Sequence, residues 1–521
     1  MRLGVDFGTT RVVVAAVDRG NYPVVTFEGP DGVSWEWFPP LLAVGEGRRL
    51  YGWDAWAAQT EPGVTVVRSV KRLLQDAGPL TRVEAGGCSL PLIDWLGGML
   101  SALRQALLER SSLNARAGEA LEVLLGVPAN ANGNQRFLTV EAFRAAGFHV
   151  LGLLNEPSAA SVEFAHRNRI DREKPERILV YDLGGGTFDA SLVDVDARTH
   201  SVVATEGIPT LGGDDFDELL SEAALEQAGL SADCLTQAEH FRLLEECREK
   251  KEAVHANTRK IVVDLDRVRE GWGQIAIPAA DYYDHCRPLV EETARAVEDL
   301  LSRAGQQIDT LYVTGGGSEL PLVARVLRET WGRRVKRSAY TRSATAIGLA
   351  IQADADAGYL LHERFTRNFG VWREAEAGRD VVFDALFERG TPLPTAGEPP
   401  LHRSRRYTPV HNIGHFRYLE CSHRGGDGQP AGDITSWDEI RFPFDPGLQA
   451  APSLDRQAVT YSPGAERCLV EEAYHCDASG TVTVTISNLT AGYRREYRLG
   501  RWSNANGSPA PTRRRRPKRS V

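Results

Sequence analysis

The residues best suited to chemistry lie in a stretch where two aspartates flank a glycine-rich turn. In residues 180–195 an apolar run ends at Asp182, passes through Gly184-Gly185-Gly186, and continues from Thr187 to Asp189. Three adjacent glycines remove side chains from a turn, so its backbone N–H groups can approach an anion such as phosphate. The two carboxylates supply the hard oxygen ligands that suit Mg²⁺ accompanying a phosphate. Taken alone, the stretch also fits a tight hairpin turn that binds nothing.

A second stretch near the start of the chain repeats this plan. In residues 3–17 an apolar strand ends at Asp6, turns through Gly8, Thr9 and Thr10, and continues as a β-branched strand. Two such copies, far apart in the chain, predict two related half-domains that face each other across one nucleotide. Each half would contribute one phosphate turn and one carboxylate.

Both stretches resemble the phosphate loops of the actin-like ATPase superfamily, and in detail those of the 70-kDa heat-shock chaperones (the heat shock protein 70 family). This resemblance implies an α/β two-lobed actin-like ATPase domain with ribonuclease H-like halves, which binds ATP or ADP with Mg²⁺ between its lobes. On the matching positions, Asp6 and Asp182 hold the metal, while Gly8, Thr9, Thr10 and Gly184 to Thr187 cradle phosphate.

Two further segments resemble catalytic parts of this family. Residues 66–74 resemble the segment of the catalytic lysine, which falls on Lys71, and Leu154–Ala160 resembles the element that joins the lobes and carries Glu156. The resemblance implies that Lys71 and Glu156 position the attacking water, assisted by Thr187 and Asp189. From the residues alone, Lys71 is typical of a surface lysine and Glu156 of an acid at a helix N-terminus.

Three more segments resemble nucleotide-contacting parts of the family. Residues 206–217 resemble a turn that meets the phosphates, and Lys251 is the best match in the adenosine-contacting helix. A third glycine turn matches the adenosine motif, where glycine lets the backbone approach the base and ribose. The binding residues implied are Gly212, Gly213, Asp214, Lys251, Gly315, Gly316 and Gly317.

The sequence departs from the family on the adenosine side. The family often has a basic residue where Glu252 stands, a serine where His255 stands and an arginine where Glu319 stands. These departures put the adenine contacts in doubt and leave the predicted phosphate contacts untouched.

Composition changes after Asp354. The predicted domains are an ATPase domain at 1–355, an interdomain linker at 356–365, a mostly-β sandwich like the family's substrate-binding domain at 366–500, and a disordered basic tail at 501–521. Alternating residues around an Asp477–Gly480 turn give the clearest match to the sandwich. The helical lid that follows the sandwich in the family is expected to be absent.

Composition limits the class of protein. The chain has 521 residues, 25% of them charged, and a net charge of −9 even though its tail is basic, which argues against nucleic acid as a partner except through that tail. Seven scattered cysteines favour reduced thiols over disulfides or a zinc site. We find no apolar run long enough to span a membrane and no room for a signal peptide, so we expect a cytoplasmic protein.

The resemblance implies an ATP-dependent, chaperone-like protein that slowly hydrolyses Mg-ATP to control how its β domain binds a client polypeptide, with co-chaperones as further partners. One alternative is an ATP-binding regulatory or scaffold protein that uses ATP as a static switch with little hydrolysis. A sugar or glycerol kinase shares the lobed fold and suits the turn at Gly8 to Arg11. A filament-forming actin relative would not explain the C-terminal strands.

Overall fold

The chain forms two compact units. The computed structural model describes residues 1–499 except 46, 76, 78–80, 117, 169–174, 306, 376–379, 396–397, 452 and 479. The first unit comprises Met1–Arg367 and Glu388–Pro399, and the second comprises Asn368–Phe387 and the chain from Pro400 onward. The predicted tail at 501–521 lies outside the described residues.

The first unit combines helices with several sheets. Its described helices are α1 (Trp53–Ala57), α2 (Leu92–Glu109), α3 (Gly133–Ala145), α4 (Glu156–Asn168), α5 (Gly213–Ala228), α6 (Gln237–Glu252), α7 (Ala279–Ala304), α8 (Pro321–Trp331) and α9 (Ala344–Ala353). Its described strands are β1 (Arg2–Phe7), β2 (Val12–Ala16), β3 (Phe27–Glu28), β4 (Ser34–Trp35), β5 (Leu42–Gly45), β6 (Arg48–Tyr51), β7 (Thr65–Val67), β8 (Arg82–Ala85), β9 (Cys88–Pro91), β10 (Glu122–Val127), β11 (His149–Asn155), β12 (Glu176–Leu183), β13 (Phe188–Asp196), β14 (Thr199–Ile208), β15 (Lys260–Asp264), β16 (Gln274–Pro278), β17 (Thr310–Thr314), β18 (Val335–Arg337) and β19 (Leu360–His362).

Each half of this unit is built around an antiparallel strand pair whose turn carries predicted phosphate residues. β1 pairs with β2, and β12 pairs with β13. The first pair is extended by parallel strands to the order β11-β10-β1-β2. The second is extended by parallel β17 and β18 on one side and by antiparallel β14 on the other, to the order β18-β17-β12-β13-β14-β19. β2 and β13 are almost entirely buried, as expected for sheets covered on both faces by other elements.

Small residues let α4 and α9 cross closely between the halves. A Cβ built on Gly348 of α9 would lie only 1.9 Å from the carbonyl oxygen of Ala159 in α4. On the other side of α9, a Cβ on Gly4 of β1 would lie 2.3 Å from the carbonyl oxygen of Ala346. A side chain at either glycine would push α9 away from α4 or from β1. These two glycines therefore fix the position of α9.

The segment predicted as a linker, 356–365, contributes a strand to the larger sheet. β19 pairs in parallel with β14, and Leu361 is buried there. Glu363, which follows this strand, accepts hydrogen bonds from the backbone N–H and the side-chain amide of Asn155 at 3.3 and 2.6 Å.

The second unit is all-β in its described part. Its strands are β20 (Asn368–Ala375), β21 (Asp380–Phe387), β22 (Leu401–Tyr407), β23 (Ile413–Arg424), β24 (Pro430–Pro443), β25 (Val470–Cys476), β26 (Val482–Asn488) and β27 (Tyr493–Arg498). They form two antiparallel four-stranded sheets, in the orders β21-β20-β23-β24 and β22-β25-β26-β27. Strict alternation of buried and half-buried residues along β25 and β26 gives one sheet a single core face.

A buried ion pair joins these two sheets. Arg373 of β20 donates two hydrogen bonds, of 3.0 and 2.7 Å, to the carboxylate of Glu472 in β25, which is fully buried. The hydroxyls of Tyr407 and Tyr474 donate to the same carboxylate. Because every oxygen of Glu472 is satisfied, its charge is tolerated within the core of the unit.

No described helix is both long and apolar enough to cross a membrane. All seven cysteines lie in the described residues, and none of them forms a disulfide bond there.

The close helix crossing yields a stability prediction. Gly348→Ala should destabilise the protein by about 1–3 kcal/mol, because its new methyl group overlaps the Ala159 carbonyl. Gly97→Ala is the matched control: Gly97 lies within α2 and a Cβ there meets nothing within 4 Å, so this change should stabilise by about 0.5–1 kcal/mol. Urea unfolding of both variants measures the difference, and equal stabilities would contradict the close packing of α9.

Candidate functional site

The phosphate turns of the two halves meet in space. A Cβ built on Gly185 would lie 2.7 Å from Oγ1 of Thr10, and one on Gly186 would lie 2.6 Å from Oγ1 of Thr9. Side chains do not fit at such distances, so glycine is required where the second turn approaches the first. The contact brings the two predicted phosphate turns to one place.

The turn at Gly212 and Gly213, which begins α5, packs on the Gly184–Gly186 turn through backbone hydrogen bonds. The N–H of Gly213 donates to the carbonyl oxygen of Gly184 at 2.9 Å, and the N–H of Asp214 donates to that of Gly185 at 2.7 Å. A Cβ on Gly212 would lie 2.6 Å from the backbone nitrogen of Gly186. The start of α5 is thereby fixed against the glycine turn of the β12–β13 pair.

These turns line one cleft. It contains about 830 Å³ of non-atom space, part of it open to solvent. The predicted residues that line it are Asp6, Gly8, Thr9, Thr10, Lys71, Glu156, Asp182, Gly184, Gly185, Thr187, Gly213, Asp214, Lys251, Gly315, Gly316 and Gly317.

Three predicted residues lie outside the lining of this cleft. Gly186 and Gly212 pack against neighbouring turns instead. Asp189 lines a smaller adjoining cavity together with Thr9, Lys71 and Thr187, which also belong to the main cleft. Asp189 therefore lies behind the point where the phosphate turns meet.

Four carboxylates gather near this point. Burial, followed by the charge of Glu156, raises the pKa of Asp6 and that of Asp189 to about 7. The same two causes raise the pKa of Asp182 well above its ordinary value. Ionising these groups together is unfavourable in a desolvated site, and a cation placed among them would relieve the repulsion.

The donor set fits Mg²⁺ carried by a phosphate. Asp6 and Asp182 end the two central strands and face one cleft, but no group of three or more His, Cys, Asp and Glu side chains among the described residues could hold a metal ion. Mg²⁺ is commonly bound by one or two carboxylates, completed by phosphate oxygens and waters. Two carboxylates beside two phosphate turns match that pattern.

The only lysine beside these carboxylates in the described cleft is Lys71. It lies in a 3₁₀ turn, and its Nζ is 2.6 Å from Oε1 of Glu156, with both side chains about nine-tenths buried. Burial disfavours the charge of Lys71, but the charges of Glu156 and Asp6 outweigh it and raise its pKa. Lys71 is therefore a fixed cation within the cleft.

Two other predicted binding residues are already paired. Lys251 lies 2.6 Å from Asp217 and donates to the carbonyl oxygen of Gly213 at 2.6 Å. Asp214 accepts hydrogen bonds from the hydroxyl of Ser69 at 2.5 Å and from Arg68 at 2.9 Å. Both side chains therefore hold the turn at the start of α5 in place.

Sequence reasoning missed several residues that line the cleft. These are Arg11, Val13, Asp217, Arg248, Thr341, Arg342 and Thr345, and Glu252 was noted only as a departure. Arg11 directly follows the first phosphate turn, so its position gave a usable signal. Arg342 belongs to none of the motifs, and its partners are distant in sequence.

Comparison with known proteins decides the family. The sequence model of the family described as "Hsp70 protein" matches residues 103–365, about half of the chain. The chain belongs to the Hsp70 family. The match covers the glycine turns at Gly184–Gly186, at Gly212–Gly213 and at Gly315–Gly317.

The curated relatives of this Hsp70-family chain include several proteins named "Chaperone protein HscA". That of Klebsiella pneumoniae (strain 342) is 34% identical over 416 residues, which is 75% of this chain and 64% of the relative. That of Salmonella newport (strain SL254) is 34% identical over 420 residues, with the same shares. The matched part of this chain thus spans less than two thirds of these relatives.

The contacts of Arg68 yield a prediction about the site. Its guanidinium lies 2.9, 3.3 and 3.2 Å from the carboxylates of Asp214, Asp217 and Glu245, and its side chain is only 14% exposed. Arg68→Met should therefore cost about 3–5 kcal/mol, because buried carboxylates lose their cation. Chemical denaturation measures this loss.

The control for this prediction is Arg144→Met. Arg144 pairs with Glu141 at 3.1 Å on the surface, with side chains 45% and 35% exposed. Its replacement should change the stability by less than about 1 kcal/mol. Similar losses for the two variants would contradict a structural role for the Arg68 cluster.

Proposed function

We propose that the first unit binds Mg-ATP in its cleft and hydrolyses it slowly to ADP and phosphate. The observation that carries this proposal is the contact of two glycine turns beside Asp6 and Asp182, one from each half of the unit. The turns offer backbone donors to phosphate, and the two carboxylates offer oxygen ligands to the metal. The membership in the Hsp70 family supports the same activity.

The proposed mechanism relies on position and charge. Lys71 would face the terminal phosphate and stabilise the negative charge that develops there. Glu156 would orient the attacking water by accepting a hydrogen bond from it. Thr9, Thr10 and Thr187 would donate to phosphate oxygens. Mg²⁺, when bound, neutralises phosphate charge. No covalent intermediate with the protein is required, so slow turnover is expected.

Asp189 has a supporting role in this mechanism. One oxygen of its carboxylate accepts the backbone N–H of Ala129 at 2.9 Å, and the side chain lines the cavity behind Lys71 and Thr187. We infer that Asp189 orients Thr187 and raises the negative potential that keeps Lys71 protonated.

We further propose that the second unit binds a client polypeptide and that the nucleotide state of the first unit controls this binding. The name of the curated relatives, "Chaperone protein HscA", supports this, as do the two antiparallel sheets of the second unit. We propose that the two compact units correspond to the ATPase and client-binding domains, that co-chaperones are further partners, and that the protein acts in the cytoplasm.

A second candidate is a static ATP switch with little hydrolysis. The ion pairs of Lys71 and Lys251 favour it, because both charges are matched by protein carboxylates in the cleft. The two candidates differ in the fate of bound ATP, which a single experiment measures.

Single-turnover hydrolysis of ATP with Mg²⁺ should show slow release of inorganic phosphate by the wild type. Lys71→Ala should bind ATP and lose at least about 100-fold in rate, because the cation beside the terminal phosphate is removed. Lys250→Ala is the matched control, since Lys250 pairs with Glu246 and does not line the cleft. It should hydrolyse ATP at the rate of the wild type.

Other outcomes would separate the alternatives. If all three proteins bind ATP and none hydrolyses it, the static switch is the better account. Transfer of phosphate to an added sugar or glycerol would indicate a kinase. Because Lys71→Ala leaves Glu156 without its partner, ATP binding by this variant is measured beside its rate, so that a disrupted site is distinguished from the loss of the cation.

Coupling between the units gives a second prediction for this function. ATP should change the affinity of the full chain for a fluorescently labelled, permanently unfolded polypeptide, and that polypeptide should change the affinity for ATP by the same factor. Fluorescence anisotropy measures both affinities, and a factor of about 5–150 is typical of allosteric coupling. Client affinity that is identical with and without saturating ATP would rule out nucleotide control.

A further inference from the structure

A chain of ion pairs that does not include Lys71 runs through residues lining the cleft. Nη2 of Arg11 lies 2.6 Å from Glu252, Nη1 of Arg342 lies 3.1 Å from the same carboxylate, and Nη2 of Arg342 lies 2.5 Å from Glu319. Arg11, Glu252 and Arg342 all line the cleft. The inference drawn from this network rests on the proposed function, since it concerns the nucleotide in the same cleft.

The network exchanges the usual positions of acid and base. Glu252 ends α6 and Glu319 follows the glycine turn after β17, so both acids stand in segments for which the family resemblance implies adenosine contacts. Each acid is paired with an arginine from outside those segments. A carboxylate repels the electron-rich face of an aromatic ring, whereas a planar guanidinium stacks on it. The two acids are therefore suited to anchoring arginines and not to contacting a base.

Arg342 is held by the edges of its guanidinium. Nε and Nη2 bind Glu319, at 2.9 and 2.5 Å, and Nη1 binds Glu252. Hydrogen bonds of this kind lie in the guanidinium plane and leave both faces free. About a third of the side chain, 36%, remains exposed, which is a large share for a residue tied to two carboxylates.

The space beside Arg342 is open at Gly316. A Cβ built on Gly316 would have only one heavy atom within 4 Å, the Cγ of Arg342 at 3.9 Å. Gly316 thus borders open space next to the guanidinium, and both residues line the cleft. A planar ring can lie over a glycine backbone and a guanidinium face without displacing a side chain.

Arg11 fixes the other end of the network. Its guanidinium lies 5.1 Å from the ring centre of Trp37, and its side chain is only 15% exposed. Burial disfavours the charge of Glu252, but Arg11 and Arg342 outweigh it and lower the pKa of this acid to about 2. Glu252 is therefore ionised at neutral pH, and its contacts with both arginines persist.

We propose that Arg342 is the residue on which the nucleotide base stacks, with Glu252 and Glu319 as its positioning residues. Because stacking grows with ring area, the site should prefer a purine to a pyrimidine nucleotide. The positions of Glu252 and Glu319, which depart from the family pattern, then serve nucleoside binding through Arg342.

The test compares a ligand that has a base with one that lacks it. Mg-ADP and Mg-tripolyphosphate are titrated into the full chain by calorimetry. Arg342→Ala should weaken ADP binding by about tenfold and leave tripolyphosphate binding within about twofold, because stacking contributes only to the first ligand. Arg342→Lys keeps the charge but not the planar face, so it should restore little of the loss.

Two further variants separate position from charge. Glu319→Gln should give a smaller loss confined to ADP, because Arg342 keeps only its contact with Glu252. Arg337→Ala is the control: Arg337 lies 3.6 Å from Glu319 but does not line the cleft, so both ligands should bind as to the wild type.

Three results would overturn the proposal. Tighter ADP binding by Arg342→Ala would show that the guanidinium blocks the base, and equal losses for ADP and tripolyphosphate would show that Arg342 acts on the phosphates. Unchanged ADP binding would show that the base lies elsewhere. If the wild type binds neither ligand, nucleotide binding by this cleft fails and the assignment of Arg342 fails with it.

Discussion

The main electrostatic constraint on the cleft of the first unit is that buried carboxylates outnumber the cation beside them. Asp6, Asp182, Asp189 and Glu156 converge there, and Lys71 is the cation they share in the described cleft. Burial and the charge of Glu156 raise the pKa of the three aspartates, so ionising them together is unfavourable. A ligand that brings a divalent cation would therefore stabilise the folded pocket. Without such a ligand, the excess of buried carboxylates lowers the stability of the fold.

Charge also connects the two halves around the cleft, and it does so with a consistent polarity. The first half supplies cations, among them Arg11, Arg68 and Arg72, and the second half supplies the acids that receive them, such as Asp215 and Glu252. These contacts lie on both sides of the phosphate turns. Opening the cleft must separate several of them together, so the halves are expected to move as bodies and not residue by residue.

Local sequence predicts those parts of the fold where two backbone segments approach each other closely. The glycines at Gly185 and Gly348 mark positions where a side chain would overlap a neighbouring turn or helix, and such positions are readable because only glycine satisfies them. The segment around Leu361 was harder to read. Three residues are too few for a strand pattern, and β19 forms because β14 offers it a free edge. The placement of Glu388–Pro399 with the first unit depends likewise on long-range contacts.

Side-chain pairs explain why the candidate site was only partly predictable. The phosphate turns could be predicted because each is a short run whose residues act together. Glu252 and Glu319 could be recognised only as departures, because Arg11 is 241 positions from Glu252 and Arg342 is 23 positions from Glu319. In the sequence alone, an acid such as Glu252 or Glu319 in a nucleotide-binding motif indicates only that the family's usual contact is lost. Once the arginine that it holds is known, the same acid becomes part of a contact made from another direction, so the chemistry of a site can persist while the residues that carry it change places.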